Sequence, residues 1–371
     1  MKIGTDQYNT FDTMTMDCWN DRVYYEGKEF PAGQFAAEIL NFAGVIHDPL
    51  LERITVLTAL VDDLSTDEKN KRHDIAAQLK PLLHDTVSWL YTCPPFCYCE
   101  EQRAYEALEH ALSEERLDRD YEEEEAHLPH LALSFCEPIL RILVAIYNFC
   151  LFIRAFEKKY LRRAKRRNAD AFAKAAHECF DEDDSFLILL EQMPFGGVEE
   201  FFSYPRVITG FKYFQDENNE EKWKTAQRVI CKRAIDFYVF DLMNGLHHGH
   251  APSQCQGCGR YFLTTNGHIP KYCDGVAPQD SRYTCRQYGA MMHQKEQNKQ
   301  HPVYRLFNTR TDTIRKHHQR GKISDDLRRE ALYLAESYRD KALMDNDYAA
   351  DGYARDMELE HIYAEAEKRL K

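Results

Sequence analysis

Four cysteines in the second half of the chain have spacings suited to a metal ion. In CQGCGRYFLTTNGHIPKYC (255–273), two residues separate Cys255 from Cys258, and Cys273 ends the stretch. Two thiolates at that spacing can both reach one ion at about 2.3 Å. Cys285 follows in YTCRQ, and four cysteine ligands leave a tetrahedral ion no open position for a substrate. We therefore predict one structural zinc ion.

Local turn and cap signals predict how the chain gathers these ligands. Asn266-Gly267 is a strong hairpin-turn signal between YFLTT and HIPKYC, so we expect a hairpin that returns the chain to Cys273. Cys285 stands where a helix can begin, and a thiol in a first helical turn is favoured as a thiolate. The candidate caps of that helix are Asp280, Ser281 and Thr284. His268 is the alternative ligand if Cys273 or Cys285 points away.

The cysteine segment resembles a known family. CxxCGRYF, KYC and TCRxxGA after a long helix are similar to the CGNR-type zinc-finger proteins of bacteria, and closer to an uncharacterised bacterial zinc-ribbon family often linked to mobile elements. The four cysteines match the ligand positions, and Tyr272 matches an aromatic residue before the third. The resemblance covers about residues 230–300. This chain has Cys-Arg-Gln-Tyr-Gly where the CGNR-type proteins have Cys-Gly-Asn-Arg. It implies a treble-clef-like zinc ribbon in a transcriptional regulator.

The residues around and after the cysteines form a basic segment in an acidic chain. The net charge is −13, whereas residues 251–322 carry 12 Lys and Arg against 4 Asp and Glu. Spaced cations of this kind match the phosphate backbone of nucleic acids. Docking on the chain's own acidic regions is the alternative. The cations expected to meet phosphates are Arg260, Arg282, Arg286, Arg305, Arg310, Arg315, Lys316 and Arg320.

Composition predicts a cytoplasmic protein without a membrane segment. MKIGTDQYNTFDTM lacks the apolar core of a secretory signal, and ILVAIYNFCLFI (142–153) is too short to cross a bilayer. Twelve cysteines without such a signal favour a reducing compartment. Singletons such as Cys136 and Cys150 are predicted to be small core residues. TCPPFCYCE (92–100) allows a second metal site, with buried loop thiols as the alternative.

Other clusters allow more than one interpretation. The acidic run YEEEEAH (121–127) and the basic run EKKYLRRAKRRN (157–168) are typical of solvated faces, although either can be a binding site and the two can face one another. FDEDDS (180–185) fits a carboxylate metal site or a helix-capping loop. LHHGHAPSQ (246–254) contains three histidines that can act as ligands or bases, but a short polar linker favours simple exposure.

Periodicity predicts a mostly helical region before the cysteines. Apolar residues recur at spacings of three and four over 34–48 and 135–167, and VYYEGKEF (23–30) fits a small hairpin. Residues 222–244 are predicted to form one amphipathic helix that ends at Gly245. The apolar face of that helix is expected to contain Trp223, Ile230, Ala234 and Phe237.

These predictions combine into a mainly α protein. Residues 1–240 form a mostly helical domain of unknown role, 241–300 a zinc ribbon on a small β-hairpin, and 301–371 a basic helix followed by an acidic helical tail. We expect a DNA-associated regulatory protein whose N-terminal domain senses a signal or binds a partner, such as a second copy. A zinc-stabilised protein-interaction module is the alternative, and a nuclease or recombinase accessory is third. Catalysis is not expected, because the sequence has no HNH, phosphate-loop or HExxH motif.

Overall fold

The chain folds mainly into helices, with small sheets, as its periodicity predicts. The computed structural model describes residues 13–42, 49–64, 68–117, 131–164, 166–184, 205–216, 219–265, 267 and 270–370. The chain divides into two compact units, Met1–Cys273 and Asp274–Lys371. The three-part division drawn from the motifs has other bounds and stays a prediction.

The first unit begins with three strands, continues through helices and returns to strands. Its strands are β1 (Met14–Trp19), β2 (Arg22–Tyr25), β3 (Lys28–Pro31), β4 (Val207–Asp216), β5 (Asn219–Cys231), β6 (Ala251–Gln254) and β7 (Tyr261–Thr264). Its helices are α1 (Gln34–Glu38), α2 (Pro49–Leu64), α3 (Lys69–Leu90), α4 (Gln102–Ala111), α5 (Glu114–Leu117), α6 (Leu131–Lys159), α7 (Ala169–Phe180) and α8 (Ala234–His247).

The second unit is a short strand pair followed by helices. Its elements are β8 (Val276–Ala277), β9 (Asp280–Thr284), α9 (Cys285–Gln300), α10 (Pro302–Gln319), α11 (Asp325–Met344), α12 (Tyr353–Asp356) and α13 (Leu359–Leu370). Ile314, Leu334 and Ile362 are fully buried in a separate apolar core. The Tyr353 hydroxyl donates to the carbonyl oxygen of Val303 at 2.9 Å, so α12 is attached to the start of α10.

A five-stranded antiparallel sheet, in the order β3-β2-β1-β5-β4, organises the first unit. β1 lies in its middle and is buried along almost its whole length, including Asp17. The Asp17 carboxylate accepts from Arg228 Nε and Nη2 at 2.8 and 3.0 Å, and Lys212 Nζ lies 3.3 Å away. A buried carboxylate needs partners of this kind, so these contacts attach β1 to β5 and β4.

The prediction of one helix over residues 222–244 is wrong for its first half. Residues up to Cys231 belong to β5, which pairs with β4 on one side and β1 on the other, and α8 begins only at Ala234. Pairing on both sides satisfies backbone N–H and C=O groups that a helix would have paired internally. Trp223, expected on a buried helical face, is 65% exposed. The hairpin predicted over 23–30 is confirmed as β2 and β3.

α6 runs through the core of the first unit. Ile139, Leu143 and Ile146 recur at helical spacing and are fully buried. Among the described helices, the segment Cys136–Arg163 is long and apolar enough to cross a bilayer, and 67% of its most apolar stretch is buried within the fold. The expectation that the apolar run 142–153 is too short to cross a bilayer is therefore wrong, because the run belongs to a longer apolar helix. Core helices of soluble proteins have this same character, so the finding is consistent with a soluble protein.

α8 lies against the turn between β3 and α1, where two glycines meet. Gly33 has a φ of +88°, and a Cβ there would lie 3.3 Å from Gly245 Cα. A Cβ on Gly245 would lie 2.8 Å from Gly33 Cα, closer than packed atoms allow. The prediction that Gly245 ends the helix is wrong, because α8 continues to His247. The glycine is needed for close packing instead.

Asp241 of α8 holds the same turn from inside the core. Its carboxylate accepts the backbone N–H of Gly33 at Oδ1 and of Ala36 at Oδ2, both at 2.9 Å. Burial raises the pKa of the Asp241 carboxyl to about 7, although these N–H groups favour the ionised form and oppose the rise. A core acid that titrates near neutrality makes the stability of the protein depend on pH.

Gly245→Ala is expected to destabilise the protein by roughly 2 kcal/mol or more, because the new methyl group overlaps the Gly33 backbone. In an open helix the same change would stabilise by about 1 kcal/mol. Urea unfolding of the full chain measures the difference. Gly210→Ala is the control, since nothing lies within 4 Å of a Cβ at that position. Equal stability of the two variants would contradict the close approach.

Asp241→Asn tests the buried acid. The folded-state pKa of about 7 lies above the ordinary value of about 3.9 expected in the unfolded chain, so the wild type loses stability as pH rises through this interval. The variant lacks that loss. We compare the unfolding free energy of the wild type with that of Asp241→Asn. The difference, wild type minus variant, should therefore fall by roughly 2 to 3 kcal/mol from pH 5 to pH 8. Urea unfolding of both proteins at both pH values measures this difference. A difference that grows with pH would contradict the raised pKa.

Candidate metal centre

The first two cysteines lie in a tight turn between two paired strands. β6 and β7 run antiparallel along their whole length, so that residues 255–260 form the connection. The backbone N–H of Cys255 donates to the carbonyl oxygen of Arg260 at 2.8 Å, and the N–H of Gly259 donates to the carbonyl oxygen of Cys255 at 2.9 Å. Gly259 has a φ of +74°, which glycine adopts without strain. The glycine after the second cysteine therefore permits the turn.

Side chains from elsewhere in the first unit hold this hairpin in place. Asn41 donates from Nδ2 to the carbonyl oxygen of Tyr261 at 3.0 Å and accepts the Tyr261 N–H at 2.7 Å. Arg167 Nη1 donates to Thr264 Oγ1 at 2.9 Å, and that hydroxyl donates to the carbonyl oxygen of Ala251 at 2.9 Å. The hairpin is therefore fastened to the core of the unit through its second strand.

The hairpin predicted around Asn266-Gly267 is not seen in the part that the structure describes, and Asn266, His268 and Ile269 lie outside the described residues. β7 pairs with β6 upstream, and residues 270–273 form no strand. The chain nevertheless returns to the first two cysteines, because the N–H of Gln256 donates to the carbonyl oxygen of Lys271 at 2.8 Å. This contact brings the segment that ends at Cys273 back to the turn.

Cys285 is the first residue of α9, as predicted. Of the three candidate caps, Thr284 is the one used: its hydroxyl oxygen accepts the N–H of Gln287 at 3.2 Å. The Gln287 side-chain oxygen in turn accepts the N–H of Thr284 at 2.9 Å, which completes a capping box. The Cys285 N–H donates to the carbonyl oxygen of Gly275 at 2.7 Å. The first turn of α9 thus holds the fourth thiol.

The four sulfur atoms lie together in one cluster. The Sγ atoms of Cys255, Cys258, Cys273 and Cys285 all lie within 4.8 Å of one another. Those of Cys258 and Cys273 are 3.6 Å apart. Around a tetrahedral ion with four bonds of about 2.3 Å, sulfur atoms stand about 3.8 Å apart. The cluster can therefore hold a metal ion, and three of its four thiols are buried.

Backbone donors favour the charged form of one of these thiols. The N–H groups of Gly257 and Cys273 point at Cys255 Sγ at 3.3 and 3.4 Å. Burial raises the pKa of the Cys255 thiol, but N–H donors, among them that of Cys258, outweigh it and lower the pKa to about 7. Because the thiolate is the form that binds metal, Cys255 is prepared for a cation.

A site with four thiolates has a restricted chemistry. Tetrahedral sulfur sites suit zinc or iron, whereas calcium and magnesium take oxygen ligands. An ion held by all four thiols would have every tetrahedral position filled by protein, which leaves neither water nor a substrate a place to bind. The arrangement suits a structural metal.

The other eight cysteines are not gathered in this way. Across the described part of the chain, no second group of three or more metal-ligating side chains lies close enough to hold an ion. In TCPPFCYCE, Cys99 Sγ lies 3.2 Å from the Tyr25 hydroxyl, and burial raises the pKa of Cys93 to about 12. Cys136 and Cys150 are buried in the core, as predicted.

Two further candidate clusters have structural contacts. His250 is 4% exposed, and its Nδ1 donates to the carbonyl oxygen of Ala32 at 2.9 Å, so the expectation of simple exposure is wrong for it. Asp183 of FDEDDS accepts hydrogen bonds from Lys159 and Tyr160. Two other features, the YEEEEAH run and His268, lie outside the described residues.

The eight cations predicted to meet phosphates differ in their surroundings. Three form ion pairs with nearby carboxylates at 2.7, 3.0 and 3.2 Å, namely Arg282–Asp280, Arg286–Asp274 and Arg315–Asp312. Arg310 is half-buried, and its Nε is removed from solvent. The other four are exposed and have no carboxylate within 4.0 Å among the described residues: Arg260, Arg305, Lys316 and Arg320. The sequence pattern alone does not separate these groups.

One family model matches the chain over residues 203–369, and it is described as a family of unknown function (DUF6076). The matched range includes β4, β5, all four clustered cysteines and the helices from α8 onwards. No curated protein and no solved structure matches the chain. The resemblance to CGNR-type zinc-finger proteins stays a prediction.

Metal analysis of the purified protein by mass spectrometry is expected to find one metal ion per chain, because the four thiols form one closed site. Cys255→Ser/Cys258→Ser removes two of the ligands and should lose nearly all of the metal and lower the melting temperature. Cys97→Ser is the control, since this thiol is exposed and outside the cluster. Full metal content in the double variant would contradict the site.

Proposed function

We propose that the four cysteines bind one zinc ion and that this structural centre belongs to a DNA-associated regulatory protein. The observation that carries the proposal is the gathering of four thiol sulfurs within 4.8 Å. Zinc accepts four thiolates in tetrahedral geometry without redox chemistry, which suits a site with no open position. The metal analysis by mass spectrometry identifies the bound metal and so distinguishes zinc from iron.

The role proposed for the zinc is to stabilise short elements. β6 and β7 have four residues each, and β8 has two. Strand pairs of this size are marginal in water, so metal–thiolate bonds would supply stability that such elements lack. The first proposed function of the zinc is therefore to hold the cysteine segment in one conformation.

Contact with nucleic acid is proposed through one face of α10. Arg305, Lys316 and Arg320 are exposed. At 100° per residue Arg305 and Lys316 lie within about 20° of one another around the helix, opposite the buried Val303 and Ile314, and Arg320 follows as the C-cap. The row is roughly 22 Å long, and duplex DNA carries one charge per about 1.7 Å, so several phosphates lie within its reach.

A protein-interaction role is the second candidate, supported by aromatic residues on the first unit. Phe211, Tyr213 and Trp223 are 71%, 68% and 65% exposed. The register of β4 and β5 places all three on one face of the sheet, because Tyr213 pairs with Thr225 and Gln215 with Trp223. Exposed aromatic groups of this kind are typical of contacts with another protein, such as a second copy of the chain.

Fluorescence anisotropy of the full-length, zinc-loaded protein with mixed-sequence duplex DNA tests the first candidate. We expect binding that weakens log-linearly with salt concentration. Replacing Arg305, Lys316 and Arg320 with glutamine should weaken binding at least tenfold. It should also make the salt slope shallower by roughly 2 to 3, since each phosphate contact contributes about 0.9.

The matched control removes three other exposed cations of the second unit, Lys341, Arg355 and Lys368. It should leave the affinity and the salt slope close to those of the wild type. If the wild-type protein does not bind, or if both sets of variants weaken binding equally, the α10 face is not a phosphate-binding surface. The protein-interaction role would then be the better account.

A further inference from the structure

A cavity of about 540 Å³ opens where α6 ends and α7 begins, in the first unit. Among the described residues that line it are four cations and one carboxylate, that of Glu178. The cations are Lys159, Arg163, Arg166 and Lys174. Three of them belong to the basic run 157–168, which the sequence leaves open between a solvated face and a binding site.

The arginines of this basic run have two different environments. Arg162 Nη2 donates to Glu157 at 2.8 Å, and Arg167 is buried and donates to Thr264 at 2.9 Å. These two side chains fasten the end of α6 to its surroundings. Arg163 and Arg166 lie on the wall of the cavity instead. The run is therefore more than a solvated face.

The charge of the cavity wall is only partly balanced. Lys159 donates to Asp183, and Lys174 Nζ lies 3.5 Å from Glu178. Within the part of the chain that the structure describes, neither Arg163 nor Arg166 has a carboxylate within 4.0 Å. A recess with walls of one sign of charge concentrates ligands of the opposite sign.

The start of α7 adds to the positive potential of the cavity. Ala171, in the first turn of this twelve-residue helix, lines the wall. The Asn168 side chain caps the helix by accepting the Ala171 N–H at 3.0 Å. The N-terminal end of a helix carries a partial positive charge, which favours anions near its first turn.

We propose that this cavity binds a small phosphate ester, with Arg163 and Arg166 holding the phosphate. The guanidinium fork matches two phosphate oxygens at once. A volume of about 540 Å³ is larger than inorganic phosphate needs and lies in the range of small-molecule sites, roughly 300 to 1,000 Å³. The organic part of the ester has room beside Tyr160, which also lines the wall.

Isothermal titration calorimetry of the full-length protein tests the cavity with inorganic phosphate, ADP and glucose 6-phosphate. At least one of the two esters should bind more tightly than inorganic phosphate. Arg163→Gln/Arg166→Gln should weaken that binding tenfold or more. Arg141→Gln/Lys158→Gln removes the same charge from exposed positions of α6 outside the cavity wall and should leave the binding unchanged.

The two esters separate the possible sources of the phosphate. Binding of ADP alone identifies a nucleotide, whereas binding of both esters identifies a site for the phosphate with little choice of organic group. Thermal melting of both double variants checks that each is folded. The proposal is overturned if neither ester binds, or if the cavity variant and the control variant bind equally well. The proposal is also overturned if the protein binds duplex DNA but neither ester, and the Arg163→Gln/Arg166→Gln variant binds that DNA more weakly.

Discussion

The close approach of α8 to the turn between β3 and α1 supports the first unit and the hairpin that follows it. A Cβ on Gly245 would lie 2.8 Å from Gly33 Cα, so only glycine lets the two segments meet. At that distance Asp241 reaches the N–H groups of the turn, and a Cβ on Gly33 would lie 3.2 Å from Leu263 of β7. The hairpin that carries the first two cysteines begins directly after α8, so its position depends on this contact.

The cysteine cluster shows how backbone geometry prepares a metal site. The turn between β6 and β7 directs N–H groups at Cys255 Sγ, and the cap of α9 places Cys285 in a first helical turn. Both arrangements favour negative charge on sulfur. Four thiolates within 4.8 Å of one another repel unless a cation lies between them. The same geometry that lowers the pKa of Cys255 therefore favours an ion at the centre of the cluster.

Ion pairing decides which of the many cations remain available to a ligand. In the second unit Arg315 pairs with Asp312, whereas Arg305 and Lys316 on the same helix have no carboxylate within 4.0 Å among the described residues. In the first unit Arg162 pairs with Glu157, whereas Arg163 next to it lines a cavity. A count of basic residues therefore overstates the surface that can meet an anion. The two proposed anion-binding surfaces depend on the cations that the fold does not place in ion pairs.

Local signals in the sequence determined the parts of this protein that depend on near neighbours. The CxxC spacing predicted two ligands on one turn, and a helix start was predicted at Cys285, because turns and caps involve residues a few positions apart. Only the tertiary structure decided that residues up to Cys231 form β5 rather than a helix, since both pairing partners of that strand are distant in sequence. The same holds for the partner of β7, for Gly245 inside α8, and for the pairing of individual arginines. Each of these depends on contacts between segments that the fold alone brings together, and no local pattern encodes them.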